Sequence, residues 1–294
     1  MSPSWTASSE KLHEPMSLPI DLHRRCVMAI LNVTPDSFYA GSRTTAAEQI
    51  AGRVRRAVAE GASIIDIGGY SSRPGAEDVD AGEEFRRVAE GLRVVRREAP
   101  QIAVSVDTFR AEVAARAIEA FGPLMVNDIT AGEGDPDMAG VAARYGVPYV
   151  AMHMRGTPAT MQSMTGYGDI AAEVTEYLRE RIARLTEAGV RREKIAVDPG
   201  FGFAKTTEQN FRLLSGLHRL GALGCPIVAG VSRKSMIYKT LDATPDRALN
   251  GTTALHWECL RQGASILRVH DTCEAVETIR LYEMFERSSY DTSR

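Results

Sequence analysis

Short apolar runs alternate with amphipathic stretches along the chain from about residue 26 to its end. Apolar, often β-branched runs bounded by turn-forming residues predict buried strands, and apolar residues spaced three and four apart predict helices. The predicted strands lie at 26–31, 63–67, 102–106, 124–126, 147–152, 195–197, 226–229 and 265–269. The predicted helices lie at 45–60, 81–98, 111–120, 170–188, 210–220, 247–262 and 273–285, and the one at 170–188 is expected to be the longest.

We interpret this alternation as eight successive strand–helix units, with the helix of the fourth unit not located. The strands are almost entirely apolar, as expected for parallel strands that are covered on both faces. Eight such units in roughly 260 residues predict an α/β fold of the (β/α)₈ barrel type. We expect one barrel domain at 25–294 behind a flexible polar N-terminal tail at 1–24. An open doubly wound sheet is the alternative, but no Gly-x-Gly-x-x-Gly turn follows the first strand.

The stretch at 195–205, Ile-Ala-Val-Asp-Pro-Gly-Phe-Gly-Phe-Ala-Lys, combines a strand end with unusual chemistry. Asp198 ends the strand, Pro199 prevents its regular continuation, and the glycines at 200 and 202 permit close backbone approach. The aspartate is either a turn-capping residue or a carboxylate presented to a flat, nitrogen-rich ligand. This stretch alone favours neither interpretation.

Polar side chains follow the carboxyl ends of the predicted strands. In a barrel these ends converge on one face, where active sites are built. One polar residue at a strand end is usually a turn former, but a polar ending on all the strands predicts a single shared site. The residues concerned are Asn32, Ser72 with Arg73, Asp107, Asn127, His153 with Arg155, Asp198 with Lys205, Ser232 with Arg233 and Lys234, and Arg268 with His270.

Three of these side chains, Asp107, Asn127 and Asp198, offer carboxylate or amide oxygens. They can match a heterocycle that carries N–H and NH₂ donors beside a ring carbonyl, because a carboxylate accepts two parallel hydrogen bonds from such an edge. Lys205 and Lys234 add cationic donors suited to a ring carbonyl, a phosphate or a carboxylate.

A second cationic group, formed by Arg73, Arg268 and His270, suits a phosphate-rich leaving group. Oxygen donors are many here, while candidate Cys and His ligands are few. This balance argues against a tight zinc site and favours Mg²⁺ that is loosely held and shared with substrate phosphates.

Some of these residues also have ordinary structural interpretations. Lys205 fits a solvated lysine as well as a ligand, and His153 fits a core histidine bonded to backbone groups somewhat better than a ligand. Arg155 is best explained as a residue that braces its loop, and the methionines at 152–164 as packing.

Composition narrows the function classes further. The 294 residues are 44% hydrophobic and 25% charged, which is typical of a soluble globular protein. The net charge of −3 and the lack of a long basic block give no electrostatic case for nucleic acid or a membrane surface. The four cysteines show no Cys-x-x-Cys spacing and mostly lie in apolar surroundings, which predicts buried thiols, a reducing compartment and a cytoplasmic location.

Eight motifs resemble, in the same order, those of the dihydropteroate synthases. They are Ile-Leu-Asn-Val-Thr-Pro-Asp-Ser-Phe at 30–38, Gly-Gly-Tyr-Ser-Ser-Arg-Pro-Gly at 68–75, Ser-Val-Asp-Thr at 105–108, Val-Asn-Asp-Ile at 126–129, Met-His-Met-Arg-Gly at 152–156, Asp-Pro-Gly-Phe-Gly-Phe at 198–203, Ser-Arg-Lys-Ser at 232–235 and Arg-Val-His-Asp at 268–271. The resemblance implies a TIM barrel, usually a homodimer, in folate biosynthesis. Such an enzyme joins 6-hydroxymethyl-7,8-dihydropterin diphosphate to 4-aminobenzoate and releases diphosphate and 7,8-dihydropteroate.

The resemblance also implies roles for individual residues. The pterin set is Asp107, Asn127, Asp198 and Lys234. The diphosphate set is Asn32, Ser72, Arg73, Arg268 and His270, with Asn32 as the ligand of Mg²⁺. The aminobenzoate set is Phe38, Ser72, Pro74, Phe203 and Ser235, and loops at 34–38 and 71–75 would close over this substrate. The residues with implied catalytic roles are Asp107, Asp198, Lys234, Arg73 and Asp36.

In the implied mechanism diphosphate leaves first, the cation left behind is delocalised into the pterin, and the arylamine attacks it. No protein nucleophile is needed, and the sequence contains no activated Cys or Ser–His pair. Tyr70 and Ser72 stand where Glu and Thr are more usual, and Tyr39 with Ala40 replaces Ser-Asp, so the response to sulfonamides stays open.

Two alternatives to a synthase are a pterin-binding methyltransferase module and a paralogue that binds pterin without catalysis. The motifs at 71–75 and 232–234 argue against the first, and the complete set of expected catalytic residues argues against the second.

Overall fold

The structure, a computed structural model, describes residues 20–34, 43–71 and 79–290. Its strands are β1 (Cys26–Asn32), β2 (Ile64–Gly68), β3 (Ala103–Asp107), β4 (Met125–Asp128), β5 (Tyr149–Met152), β6 (Ile195–Asp198), β7 (Val228–Ala229) and β8 (Ile266–Val269). Its helices are α1 (Arg43–Ala59), α2 (Ala81–Glu98), α3 (Ala111–Phe121), α4 (Met138–Tyr145), α5 (Ile170–Glu187), α6 (Thr207–Ser215), α7 (Ser235–Tyr238), α8 (Leu249–Arg261) and α9 (Thr272–Tyr290).

The eight strands are parallel and are hydrogen-bonded in the order β6-β5-β4-β3-β2-β1-β8-β7. A parallel bridge between Val197 and Ile227 joins β6 to the residues before β7, and the Val197 N–H donates to the Pro226 carbonyl at 2.9 Å. This bridge closes the sheet into a ring. The predicted (β/α)₈ barrel is confirmed, and the open sheet is excluded.

Several element predictions differ from the structure. Helix α4 was not predicted, because its eight residues are mostly small and carry a weak apolar pattern. Gly216 ends α6, and a 3₁₀ helix at Leu217–Leu223 replaces the rest of the predicted helix at 210–220. The longest helix is α9 with 19 residues, not α5 with 18, because α9 continues past residue 285.

The inward-facing side chains form an apolar layer at the amino ends of the strands. Because successive strand residues point to opposite faces, every second residue of each strand faces the barrel axis. Leu22 packs beneath this layer and is only 6% exposed, although it lies in the stretch predicted as tail. Residues 1–19 of that predicted tail lie outside the described part of the chain. The layer consists of Met28, Ile64, Ala103, Met125, Val150, Ala196, Val228 and Ile266.

Two residues further along the strands the inward positions become polar. They include Asp66 in β2, Ser105 in β3, Asn127 in β4, Asp198 at the end of β6 and Arg268 in β8. The apolar layer below them is fully buried, so these polar groups are directed toward the carboxyl-end mouth of the barrel. The fold therefore brings the predicted site together.

None of the helices in the described part of the chain is long and apolar enough to cross a membrane. Cys26, Cys225 and Cys259 are buried free thiols, as predicted, and Cys273 is a free thiol at the surface.

His256 on α8 is a buried histidine that we expect to reduce stability in acid. It is 1% exposed, neither ring nitrogen has a hydrogen-bond partner among the described residues, and burial lowers its pKa to about 4. The unfolded chain therefore takes up a proton as the pH falls from about 6.5 toward 4, while the folded protein does not. Between about pH 7.5 and pH 5 this difference should cost about 2 kcal/mol of unfolding free energy.

Urea unfolding at both pH values, on wild type and His256→Leu, measures this contribution. The leucine variant should lose about 2 kcal/mol less than wild type over this interval. Leu260→Val, at a buried residue of the same helix that carries no titratable group, is the control and should keep the wild-type pH dependence. Equal pH dependence in wild type and His256→Leu would contradict the assignment.

Candidate active site

Asp198 lies at the end of β6 and is 4% exposed. Its Oδ1 accepts a hydrogen bond from the Gly200 N–H at 2.7 Å, so the carboxylate does brace its own turn. Its Oδ2 faces Gly230: a Cβ atom on Gly230 would lie 3.8 Å from this oxygen and 3.6 Å from the Lys234 Nζ. Burial raises the pKa of Asp198, and Lys234 opposes the rise. One oxygen of this aspartate therefore braces the turn, and the role of the other toward a ligand stays a prediction.

Lys234 reaches across from the turn after β7 to the loop after β6. Its Nζ donates a hydrogen bond to the Phe201 carbonyl and lies 5.0 Å from the centroid of the Phe203 ring. Burial lowers the pKa of Lys234 to about 8, and the carboxylates of Asp198 and Asp107 oppose that change. The ammonium is thus held between an aromatic face and the acids of the mouth, where it can act as a cationic donor.

Lys205 is buried, so its interpretation as a solvated lysine is wrong. It is 6% exposed, and its Nζ lies 2.9 Å from the carbonyl oxygens of Gly200 and Phe203 and 3.0 Å from the His153 Nδ1. An ammonium has three N–H donors, and these three acceptors match them. Burial holds the pKa of Lys205 well below its usual range, with Lys234 adding to the effect.

His153 is buried as predicted, but Lys205 rather than the backbone is the partner of its ring. Burial lowers the pKa of His153 to about 2, and Lys205 adds to this, so the ring is neutral and Nδ1 can accept a hydrogen bond. The loops after β5 and β6 also touch directly: a Cβ atom on Gly200 would lie 1.9 Å from the His153 carbonyl oxygen. Only glycine fits there, at φ +69°.

Arg268 bridges two carboxylates on neighbouring strands. Its Nε donates to Asp66 Oδ2 at 2.7 Å, and its Nη2 donates to Asp107 Oδ2 at 2.5 Å. Burial raises the pKa of the Asp107 carboxyl, while the adjacent Arg268 lowers it. Arg268, which the resemblance assigns to diphosphate, therefore also lies against an acid of the pterin set.

Asn127 completes this group of acids and cations. It is 4% exposed and lies opposite Asp107 in the pairing of β3 with β4. Its Nδ2 donates to Asp66 Oδ2 at 3.1 Å. Its own Oδ1 accepts no hydrogen bond from any residue that the structure describes. The amide oxygen is therefore free to accept a donor at the mouth.

An apolar wall flanks these polar groups. Phe203 and Phe109 pack against a small cluster of buried residues at the mouth, separate from the main core. Met152, Met154 and Met161 pack in this cluster, as predicted, whereas Met164 is 42% exposed. The members of the cluster are Ile129, Met152, Met154, Met161 and Ala204.

The residues of the motif at 232–235 have two roles: some brace the loop, and others belong to the site. Ser232 Oγ lies 3.1 Å from the His270 Nδ1 and accepts the His270 backbone N–H at 3.1 Å. Arg233 pairs bidentately with Asp271 at 2.7 and 2.8 Å, so its charge is already matched. Ser235 begins α7, a helix of only four residues.

Arg155 braces its loop, as predicted. It donates to the Gly166 carbonyl and to Glu173, and its guanidinium lies 3.8 Å from the centroid of the Tyr167 ring.

Asn32 lies at the end of β1 beside Asp107. A Cβ atom on Gly68, between them, would lie 3.4 Å from the Asn32 Oδ1 and 3.9 Å from the Asp107 Oδ2. Among the described residues there is no group of three or more His, Cys, Asp or Glu side chains that could hold a metal ion. The part of the chain that the structure describes therefore places the candidate ligand Asn32 in no such group.

Comparison with known proteins agrees with this geometry. A family model described as pterin binding enzyme matches residues 28–270. The chain is also 44% identical over 249 residues to the dihydropteroate synthase of Synechocystis, a match that covers 84% of this chain and 86% of that protein. The chain belongs to the dihydropteroate synthase family.

Solved structures of the dihydropteroate synthase family share the fold. The enzyme from Xanthomonas albilineans with 4-aminobenzoic acid has a TM-score of 0.83 and 39% identity, covering 90% of this chain and 94% of that one. Its complex with 7,8-dihydropteroate has a TM-score of 0.80 and 36% identity, covering 91% of this chain and 95% of that one.

Within this family framework the structure brings together most of the predicted site residues that it describes. The pterin set, Phe203, Arg268 and Asn32 all lie at one mouth, and His270 contacts Ser232 at the same end. Five predicted residues lie outside the described part of the chain: Asp36, Phe38, Ser72, Arg73 and Pro74.

Asp66 is the site residue that sequence reasoning missed. It was placed within a strand and not at a strand end, where polar residues were sought. A signal existed: an acid at an inward position of an otherwise apolar strand has to be paired, because an isolated buried charge is very costly.

In this member of the dihydropteroate synthase family we expect Lys205 to hold the loop after β6 in place. Lys205→Met removes three hydrogen bonds and leaves the Phe203 carbonyl without its donor, whereas the Gly200 carbonyl keeps the Phe203 N–H. This loss should lower the unfolding free energy by about 3 kcal/mol. Amides at 199–206 should exchange faster, as measured by hydrogen exchange with mass spectrometry.

Lys194→Met is the matched control for this variant. Lys194 donates to the Gly146 carbonyl at the opposite end of β6. Its loss should cost about 1 kcal/mol and leave exchange at 199–206 unchanged. Unaltered exchange in the Lys205 variant would rule out the anchoring role.

Proposed function

We propose that this protein is a dihydropteroate synthase, which condenses 6-hydroxymethyl-7,8-dihydropterin diphosphate with 4-aminobenzoate in folate biosynthesis. The observation that carries the proposal is the convergence of Asp107, Asn127, Asp198 and Lys234 at one barrel mouth in a chain of this family. These groups offer acceptor oxygens for the donor edge of a pterin and one cation for its ring carbonyl. The complexes of relatives with 4-aminobenzoic acid and 7,8-dihydropteroate support the same substrates.

The reaction breaks the bond between the pterin methylene carbon and the diphosphate oxygen. Positive charge develops on the methylene group and spreads into the electron-rich dihydropterin ring. The carboxylates of Asp107 and Asp198 would favour that charge because they lie beside the proposed pterin position, where Asp198 is only 4% exposed. The arylamine nitrogen then forms the new C–N bond and loses a proton.

The aminobenzoate ring is best placed against the apolar wall of Phe203 and the methionine cluster. Phe203 lies beside Lys234, so the second substrate would meet the pterin at the edge of the pterin set. Ser235 adds a hydroxyl near this edge for the carboxylate. Because α7 has four residues, its helix dipole adds little, and the hydroxyl and backbone N–H groups would do most of the binding.

We also propose that diphosphate binds with Mg²⁺ near Asn32, Arg268 and His270. The isolated amide oxygen of Asn32 fits an ion that takes most of its ligands from substrate phosphates and water, as Mg²⁺ commonly does. When bound, the ion would neutralise charge on the departing diphosphate. Arg268 and His270, from β8 next to β1 and the turn after it, would orient the phosphates.

Purified protein incubated with both substrates and Mg²⁺ tests the proposed reaction. We expect equal amounts of diphosphate and dihydropteroate, and loss of both when the cation is chelated. Pterin binding without release of diphosphate would favour the non-catalytic paralogue. Binding of a methylated folate without condensation would favour the methyltransferase module.

Asp198→Asn should weaken pterin binding sharply. The amide keeps one acceptor for the Gly200 N–H but turns an NH₂ group toward Lys234 and the ligand, where an acceptor is needed. Loss of a hydrogen bond to a charged group predicts a roughly tenfold to hundredfold weaker Kd by calorimetry. Asp169→Asn, at the exposed N-cap of α5, is the control and should bind as wild type. Unchanged affinity in Asp198→Asn would refute its role.

We infer a homodimer from an apolar patch on α9. Leu281, Met284 and Phe285 are 66%, 57% and 57% exposed, and Phe285 packs edge-on against Trp257 of α8. Large exposed apolar side chains in one place are typical of an interface. Their contiguity favours a second copy that covers α8 and α9.

Phe285→Glu should convert the dimer to a monomer, because it places a charge within the buried interface. Light scattering after gel filtration measures the mass of wild type and variant. Met164→Glu, at an exposed methionine after β5, should leave the wild-type mass unchanged. A monomeric wild type would disprove the dimer.

We infer a reducing compartment, such as the cytoplasm, from the cysteines. All four are free thiols and three of them are buried, as in proteins that are kept reduced.

A further inference from the structure

Asp66 is a buried acid whose role the proposed mechanism does not use. It faces the barrel axis in β2 and its side chain is 0% exposed. Its neighbours Ile65 and Ile67 belong to the core between the strands and the helices. A carboxylate at such a position persists only if partners compensate its charge.

A single oxygen of Asp66 accepts both of its hydrogen bonds. Oδ2 accepts the Arg268 Nε at 2.7 Å and the Asn127 Nδ2 at 3.1 Å. An ionised carboxylate is only an acceptor, so Asn127 must turn its NH₂ group toward it. Its Oδ1 then points away from Asp66, where no described residue donates to it.

The same carboxylate fixes the guanidinium of Arg268. With Nε on Asp66, the Nη2 group lies 2.5 Å from Asp107 Oδ2. Asp107 is thereby held by one of its oxygens, and no described residue donates to the other. The two acceptors of β3 and β4 to which no described residue donates thus both depend on one acid in β2.

We propose that Asp66 is a positioning residue that sets the hydrogen-bond polarity of the ligand pocket without touching the ligand. It makes Asn127 present an oxygen, and through Arg268 it aligns Asp107, so the pocket offers acceptors to a donor-bearing ring. The inference rests on the proposed function and specifies how that site selects the pterin.

Two substitutions separate the acceptor of Asp66 from its volume. Leucine at position 66 (Asp66→Leu) has a similar size but no acceptor. Asn127 and Arg268 then lose the oxygen that accepts their hydrogen bonds. Asp66→Asn keeps one acceptor oxygen for Arg268 and Asn127, and its NH₂ can face the Ser105 hydroxyl, which has no other partner among the described residues.

Kinetics with both substrates and calorimetry with 6-hydroxymethylpterin test the proposal. Asp66→Leu should raise the KM for the pterin substrate about tenfold and change the KM for 4-aminobenzoate less than about twofold. Asp66→Asn should stay within about threefold of wild type for both substrates. A merely structural residue would shift both KM values together, and such a parallel shift would overturn the proposal.

A double-mutant cycle with Asn127→Ala tests whether Asp66 acts through the amide. Once Asn127 is gone, Asp66→Leu should weaken pterin binding less than it does in wild type. If the effects of the two substitutions on the free energy of pterin binding simply add, Asp66 does not act through Asn127. Asp128→Asn, at the neighbouring buried acid that faces Tyr149 and Thr130, is the control and should not produce a split between the two KM values.

If Asp66→Leu does not fold, Asp66→Ala decides the question. It removes the same acceptor from Arg268 and Asn127 without adding bulk at the buried position. A KM for the pterin substrate raised about tenfold, with the KM for 4-aminobenzoate changed less than about twofold, supports the proposal, and equal shifts in both KM values overturn it. Wild-type protein that binds no pterin would overturn the proposed function itself, whereas unchanged variants of a pterin-binding wild type would overturn only the role of Asp66.

Discussion

The pairing of buried charges above an apolar layer is the constraint on which this structure depends. Asp66, Asp107 and Asp198 lie at one mouth with Arg268, Lys234 and Lys205, and each acid is in contact with or next to a cation. Each group alone would be expensive to bury, and removing one partner leaves the other uncompensated. The site therefore exists only as a network.

The apolar layer gives that network its strength. Met28, Ile64 and their neighbours surround the lower side of the charges with apolar groups, so electrostatic interactions at a given distance are stronger than they would be in water. The same surroundings shift the pKa values of the group, lowering those of Lys205 and Lys234 and raising that of Asp198. A ligand with its own donors enters a pocket whose acceptors are already oriented.

Sequence pattern predicted the barrel because strand periodicity and strand ends are local properties. It also found Asp107, Asn127 and Asp198, since a polar residue that ends an apolar run is visible in the chain. Asp66 and the true environment of Lys205 were not accessible in this way. Both depend on contacts with residues far away in sequence, Arg268 for the first and His153 for the second. Helix α4 was not predicted because its small residues give little contrast between apolar and polar positions.

The ring of strands is closed unevenly, and this affects the site. β7 has two residues and is tied to β6 by one bridge, whereas β1 and β2 pair over five positions. Lys234 crosses this seam when it donates to the Phe201 carbonyl. A ligand that binds the ammonium in place of the Phe201 carbonyl removes this hydrogen bond across the seam. To replace it, the ligand must bond to both sides. Occupancy of the pocket and closure of the ring are therefore linked through one side chain.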